Sequence, residues 1–169
     1  MARLLGYITR RLNQLAGLLA MLLILYIAGH ILLEIAMRLF GASTFVLDEF
    51  VGYAVATLTF LGLGYSLERG SLIRVSVLLD KLPRRLHWLP ELASTLLALF
   101  SFATLAWYWG HNVWRSYQRG TVSDTLAETP LWLPEGMVLL GMLLLCLTLL
   151  ARALSLAAGD VPTTAKGEG

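Results

Sequence analysis

The sequence is poor in charge and almost without cysteine, and each shortage removes a class of function. Only 14% of its 169 residues are Asp, Glu, Lys or Arg, while 57% are apolar and the mean hydropathy is +0.71. A soluble domain carries about 25% charged residues, so this chain lacks the polar cover that a water-facing surface requires. Its composition is that of a membrane protein. The single cysteine, Cys146, excludes a disulfide framework and a thiolate cluster for a metal. There is no glycine-rich phosphate loop, no zinc-ligand spacing and no nucleophile-and-base constellation, so the residues give no grounds for an enzyme, a bound cofactor or a metal centre. The apolar segments also lack the broken, inverted repeats of a self-contained transporter, and they promise almost no polar interior.

Long uncharged runs are what the sequence has in quantity. About 20 apolar residues cross the hydrocarbon core. Leu12 to Leu33, Phe50 to Leu67 and Leu92 to Trp114 meet that length without a formal charge, His111 being the one doubtful polar member. A fourth run is uncharged only from Gly136 to Ala151, but Leu131, Trp132 and Leu133 before Glu135, and the tail through Leu156, lengthen it. These runs predict an all-α integral membrane protein, a single domain over residues 1–169, with transmembrane helices near 12–36, 49–67, 91–114 and 132–155.

Arg3, Arg10 and Arg11 precede the first run in the manner of a signal peptide. The run is longer than a signal sequence needs, no small-x-small cleavage site follows, and Glu34 and Arg38 continue the helical spacing, so an uncleaved first helix is expected. Orientation follows from the basic residues. Ten of the 13 Lys and Arg fall in the N-terminal segment, the connection between spans two and three, and the C-terminal segment; Arg38, Arg115 and Arg119 lie on the other side. Both termini are therefore predicted to be cytoplasmic. The cations border membrane spans instead of forming a patch on a soluble surface, which gives no support to a nucleic-acid partner.

Between spans two and three, Leu72, Val75, Leu78, Leu79 and Leu82 recur at three- and four-residue spacing, while Arg74 and Lys81 fall together on another face. This pattern predicts an amphipathic helix over about 71–88, lying in the cytoplasmic-side interface against membrane lipids. Pro83 ends the apolar stripe, Arg84, Arg85, His87 and Trp88 suit the headgroup level, and Pro90 opens the third span. Two readings are open: a surface-lying connector, or an arm that holds the protein at fixed depth and angle against a larger partner.

Polar residues within the spans are few. His30, Glu34 and Arg38 are four residues apart and share a face near the outer end of the first helix, where Glu34 and Arg38 are expected to pair and to snorkel to the interface as an anchor or subunit contact. His111 lies at similar depth, and two histidines there allow an alternative, a haem-binding anchor of a redox complex. A stand-alone assembly scaffold is a further alternative. The second span carries Gly52, Ala56, Thr57, Thr59, Gly62 and Gly64, small residues that permit close helix approach inside the bundle or with a partner. The outer segment RGTVSDTLAETPLWLPEG joins Asp124, Glu128 and Glu135 to two prolines, Pro130 and Pro134, that restrain re-entry, with Trp132 at the interface.

In this order and spacing the residues resemble the small permease subunit (DctQ type) of tripartite ATP-independent periplasmic, or TRAP, transporters. The resemblance runs from about Arg10 to Ser155. It rests on four spans with both ends inside, on Asp48 and Glu49 opening the second span, on Arg69-Gly70-Ser71-Leu72-Ile73-Arg74-Val75-Ser76 leading to Leu82-Pro83, and on Ser123-Asp124-Thr125 followed by Pro130-Leu131-Trp132-Leu133-Pro134. Leu72 and Ser76 depart from the His and Asp common in that family. The resemblance implies a bacterial inner-membrane complex of this chain with a large multi-span permease, served by a periplasmic solute-binding protein. It implies sodium-coupled symport of an organic acid, with substrate and sodium held by the large subunit, which moves like an elevator while the small subunit braces its scaffold. Glu34, Arg38, Asp48, Glu49, Arg69, Arg74, Val75, Leu78 and Leu82 are then candidate subunit or lipid contacts, and Asp124, Glu128, Trp132 and Glu135 a candidate docking surface for the binding protein.

The apolar stripe between spans two and three yields one test. Leu78→Asp combined with Leu82→Asp is expected to reduce recovery of an assembled complex, or uptake; wild-type assembly and uptake in the double variant would refute the arm.

Overall fold

The computed structural model describes residues 2–69 and 88–157, with side chains from residue 6 onward. The predicted interfacial helix near 71–88 lies, apart from Trp88, outside the described residues. Four helices are present among the described residues: α1 (Ala2–Leu39), α2 (Leu47–Glu68), α3 (Trp88–Arg119) and α4 (Trp132–Ala157). Each is long and apolar enough to cross a membrane.

α1 and α3 exceed the uncharged runs from which they were predicted. At 38 and 32 residues they are about 57 and 48 Å long, against a hydrocarbon core of about 30 Å. The extra turns are Arg-containing at the start of α1 and aromatic and Arg-containing at the end of α3, residues that sustain a helix once it has left the apolar layer. Both helices stop at a glycine. Gly41 (φ +73°) and Gly120 (φ +59°) take the left-handed conformation. After α1, Ala42 N donates to Met37 O at 3.0 Å and Gly41 N to Arg38 O at 3.1 Å; after α3, Thr121 N donates to Ser116 O and Gly120 N to Tyr117 O. These are paired Schellman closures, which satisfy the last free carbonyls.

α4 packs against each of the other three helices, α1 also packs on α2, and α3 rests on α4 alone among the described helices. Sequence-adjacent helices run antiparallel. The α1–α2 and α3–α4 connections therefore share one end, the loop-bearing end, and the chain termini share the other. Three glycines let α1, α2 and α4 approach. Gly17 lies under the Tyr65 ring, Gly64 faces Asn13 and Thr148, and a Cβ on Gly141 would come within 2.8 Å of the Phe60 backbone. Nearby, Ala106, Val138 and Met142 form a small core with Phe60, Trp109 and Leu139 packed on it.

The interior is more polar than the sequence suggests. Asn13 is 0% exposed, and its Nδ2 donates to Thr148 Oγ1 at 3.0 Å, joining α1 to α4 in the membrane-spanning region. Arg152 of α4 is paired with Glu91 of α3 at the terminus-bearing end, where Arg10 also lies 3.9 Å from Glu68. Asn13 is uncharged and sits at the edge of an apolar run, so a charge-based reading passes over it. The small residues of α2 divide between faces: Thr57 and Gly64 are buried and Ala56 touches the core, whereas nothing lies within 4 Å of a Cβ placed on Gly52 or Gly62.

Gly141→Ala is thus expected to destabilise the bundle by about 1–3 kcal/mol, because backbone rather than a flexible side chain must yield. Gly52→Ala and Gly62→Ala should cause no loss. Thermal unfolding in detergent, followed by loss of monodisperse elution, checks the contrast; equal stability of all three variants would contradict the packing.

Candidate functional site

Among the described residues, the loop-bearing end concentrates the polar chemistry, and carboxylates organise it. Glu34, on the last turns of α1, is 1% exposed. Its Oε1 accepts from Arg38 Nε at 3.0 Å and from Ser43 Oγ at 2.5 Å; its Oε2 accepts from Thr44 N at 3.0 Å and Thr44 Oγ1 at 2.6 Å. One side chain so fixes the α1–α2 connection. The Glu34–Arg38 pair expected from spacing is present, but only Arg38, 66% exposed at the side chain, reaches outward. Glu34 turns inward because two hydroxyls and an amide of the following loop offer it more than water at the interface.

Glu49 plays the same part between α2 and the second connection. Its Oε1 accepts from Tyr53 Oη at 3.0 Å, and its Oε2 accepts from Thr125 Oγ1, 76 residues away in sequence. The segment it holds is a tight hairpin. Ser123 N donates to Thr129 O at 2.9 Å, Thr129 N to Ser123 Oγ at 3.1 Å and Leu131 N to Thr121 O at 3.1 Å, with a bridge between Val122 and Pro130. Glu128 turns the hairpin with φ +44°. Glu135, in the first turn of α4, accepts at Oε1 from Asn112 Nδ2 of α3 at 2.9 Å, and its main-chain oxygen accepts from Trp109 Nε1 at 3.0 Å. The other carboxylate oxygen, Oε2, is buried with no hydrogen-bond partner among the described residues.

The remaining sequence-selected residues scatter. Asp48, Asp124 and Glu128 are exposed, Trp132 stands edge-on to Tyr117 at 5.6 Å between ring centroids, and Arg69 closes α2 with its guanidinium 4.9 Å over the Tyr65 ring. Arg74, Val75, Leu78 and Leu82 lie outside the described residues. His30 contacts Tyr26 and Phe50, whereas His111 lies against Trp107; their helices, α1 and α3, do not pack on each other. Among the described residues no group of three or more His, Cys, Asp or Glu side chains converges as metal ligands. Sequence reasoning overlooked Tyr53 and Asn112, and it named Thr125 only as part of a motif, without its long-range partner Glu49. Glu34 was singled out by its four-residue spacing from His30 and Arg38, and Glu49 by the family resemblance.

Removing either staple should loosen one loop without unfolding the bundle. In Glu34→Ala the Thr44 amide, and in Glu49→Ala the Ser123 and Thr129 amides, are expected to exchange with deuterium markedly faster, while amides of α4 stay protected. Unchanged loop exchange in both variants would contradict the carboxylate staples.

Comparison with protein families agrees with this architecture: the family described as "Tripartite ATP-independent periplasmic transporters, DctQ component" matches residues 27–159. No curated protein and no solved structure matches. The match covers most of the chain, including the last turns of α1, both staples and all of α2, α3 and α4. The chain belongs to the DctQ component family of tripartite ATP-independent periplasmic transporters.

Proposed function

We propose that this chain is the small transmembrane subunit of a TRAP transporter, bracing the immobile scaffold of a large multi-span permease during sodium-coupled uptake of an organic acid. The observation that carries the reading is the family match combined with a bundle whose buried polar groups are largely spent on one another. A brace needs a fixed shape and broad apolar flanks. α1 and α3 present those flanks, with Leu18, Leu25 and Leu32 on α1 and Leu97, Phe100 and Trp107 on α3 exposed along the helices. Lipid or a partner's helices cover such surfaces.

The distribution of Lys and Arg supports an inner-membrane topology with both termini cytoplasmic, which puts the loop-bearing end in the periplasm. There Asp124 and Glu128 stand exposed on the stapled hairpin, beside Trp132, as a surface for the periplasmic binding protein. Glu135, in the first turn of α4, is bonded to Asn112. Glu34, Asp48 and Glu49 fix or flank the same end, while Arg69, Arg74 and the stripe of Val75, Leu78 and Leu82 are assigned to contacts with lipid and the large subunit at the cytoplasmic face. Sodium and substrate bind the large subunit in this reading, and this chain needs no cofactor.

Affinity purification of the tagged full chain in mild detergent is expected to recover one stoichiometric multi-span permease. Charge reversal at Asp124 and Glu128 should leave that pair intact and lower uptake several-fold by weakening encounter with the binding protein. Recovery of redox subunits, or of no partner, would overturn the transporter reading; unchanged uptake would overturn the docking surface alone.

A further inference from the structure

The hairpin between α3 and α4 places a leucine where a turn ordinarily carries a polar residue, proline or glycine. Glu128 N donates to Thr125 O at 3.1 Å, closing a turn with Leu126 and Ala127 at its apex. Leu126 is 80% exposed. That exposure is not looseness, because the residues around the apex are held. Thr125 gives its hydroxyl hydrogen to Glu49 Oε2 and so accepts from Ser123 Oγ at 2.9 Å, and Ser123 Oγ in turn accepts from Thr129 N at 3.1 Å. Glu128 is kept at φ +44°, a conformation that a residue other than glycine adopts at a cost and retains only where its surroundings enforce it.

Position and charge select what such an apex meets. The hairpin leaves α3 at Arg119, enters α4 at Trp132, and is fastened at Thr125 to Glu49 in the first turn of α2. It therefore crosses the end of the bundle. Its apex lies over that end and not along a lateral flank, where lipid tails or a neighbouring membrane helix would cover it. Asp124 and Glu128 stand exposed on either side of Leu126, and residues 120–131 hold no Lys or Arg. Anionic headgroups are repelled by that pair. An apolar side chain between two carboxylates instead complements a water-soluble protein surface with an apolar pocket rimmed by Lys or Arg. A loop already ordered loses little conformational entropy on docking, so that one well-placed side chain can carry a large share of the binding.

We propose that Leu126 is the anchor of the hairpin's docking contact: it enters an apolar pocket on the periplasmic solute-binding protein, while Asp124 and Glu128 meet the pocket's basic rim. This rests on the docking reading of the same surface and adds to it the residue that sets how long the complex lasts, the carboxylates setting how fast it forms.

The test titrates the full chain, purified with its large permease in lipid nanodiscs, with the purified solute-binding protein of the same transporter at low and high salt. Leu126→Ala is expected to weaken binding about tenfold at both salt levels, through faster dissociation, and Leu126→Met to stay within about twofold of wild type. Charge reversal at Asp124 and Glu128 should instead slow association, with an effect that shrinks at high salt. Because the Leu126 side chain stands mostly in water, Leu126→Ala should unfold at the wild-type temperature. Wild-type binding by Leu126→Ala, with the charge reversal still weakening it, would overturn the anchor and leave the docking surface standing. Binding indifferent to both changes, or absent in wild type, would overturn the anchor and the docking surface together.

Discussion

Helices in hydrocarbon gain little from burying apolar surface against one another, because lipid tails already supply it; they associate where backbones come close or where polar groups find partners. α4 meets both conditions, and the other helices are arranged around it. Gly141 brings its backbone against Phe60, Thr148 takes the Asn13 amide, Glu135 takes Asn112 near one end, and Arg152 takes Glu91 near the other. The contacts are spread along its length, so each neighbouring helix is fixed in register as well as in distance. α3, which lacks a second helix to lean on among the described residues, is tied at both ends instead.

At the loop-bearing end a second rule applies. Connections there leave the helices near the edge of the apolar layer, where free amides and hydroxyls are costly. Carboxylates collect them: Glu34 takes three donors from the α1–α2 turn and Glu49 takes Thr125 from the opposite hairpin. An acidic residue in this setting acts as a multidentate acceptor more than as a surface charge. Charge counting alone would place such groups in solvent.

The sequence made some of this legible and hid the rest for physical reasons. Hydropathy located four helices, because the bilayer demands uninterrupted apolar length, but not the glycines, Gly41 and Gly120, at which two of them stop. The Glu34–Arg38 pair followed from local spacing. Asn13 with Thr148, Glu49 with Thr125 and Asn112 with Glu135 join residues 135, 76 and 23 positions apart, and no periodicity encodes such pairings. The small residues of α2 left open whether they face the bundle or a partner, and helical geometry divides them between a buried face carrying Thr57 and Gly64 and an open one carrying Gly52 and Gly62.

The twin glycine closures constrain the protein as a mechanical object in a bilayer. α1 and α3 end by hydrogen-bonded caps, and the connections beyond those caps are stapled to α1 and α2, so the helix ends cannot slide to follow a thinner or thicker membrane. Mismatch in thickness is then relieved by rotating the whole bundle or deforming the lipid around it. A change in bilayer thickness therefore reaches any protein seated on the loop-bearing end as a change of angle, with the spacing between the two loops preserved.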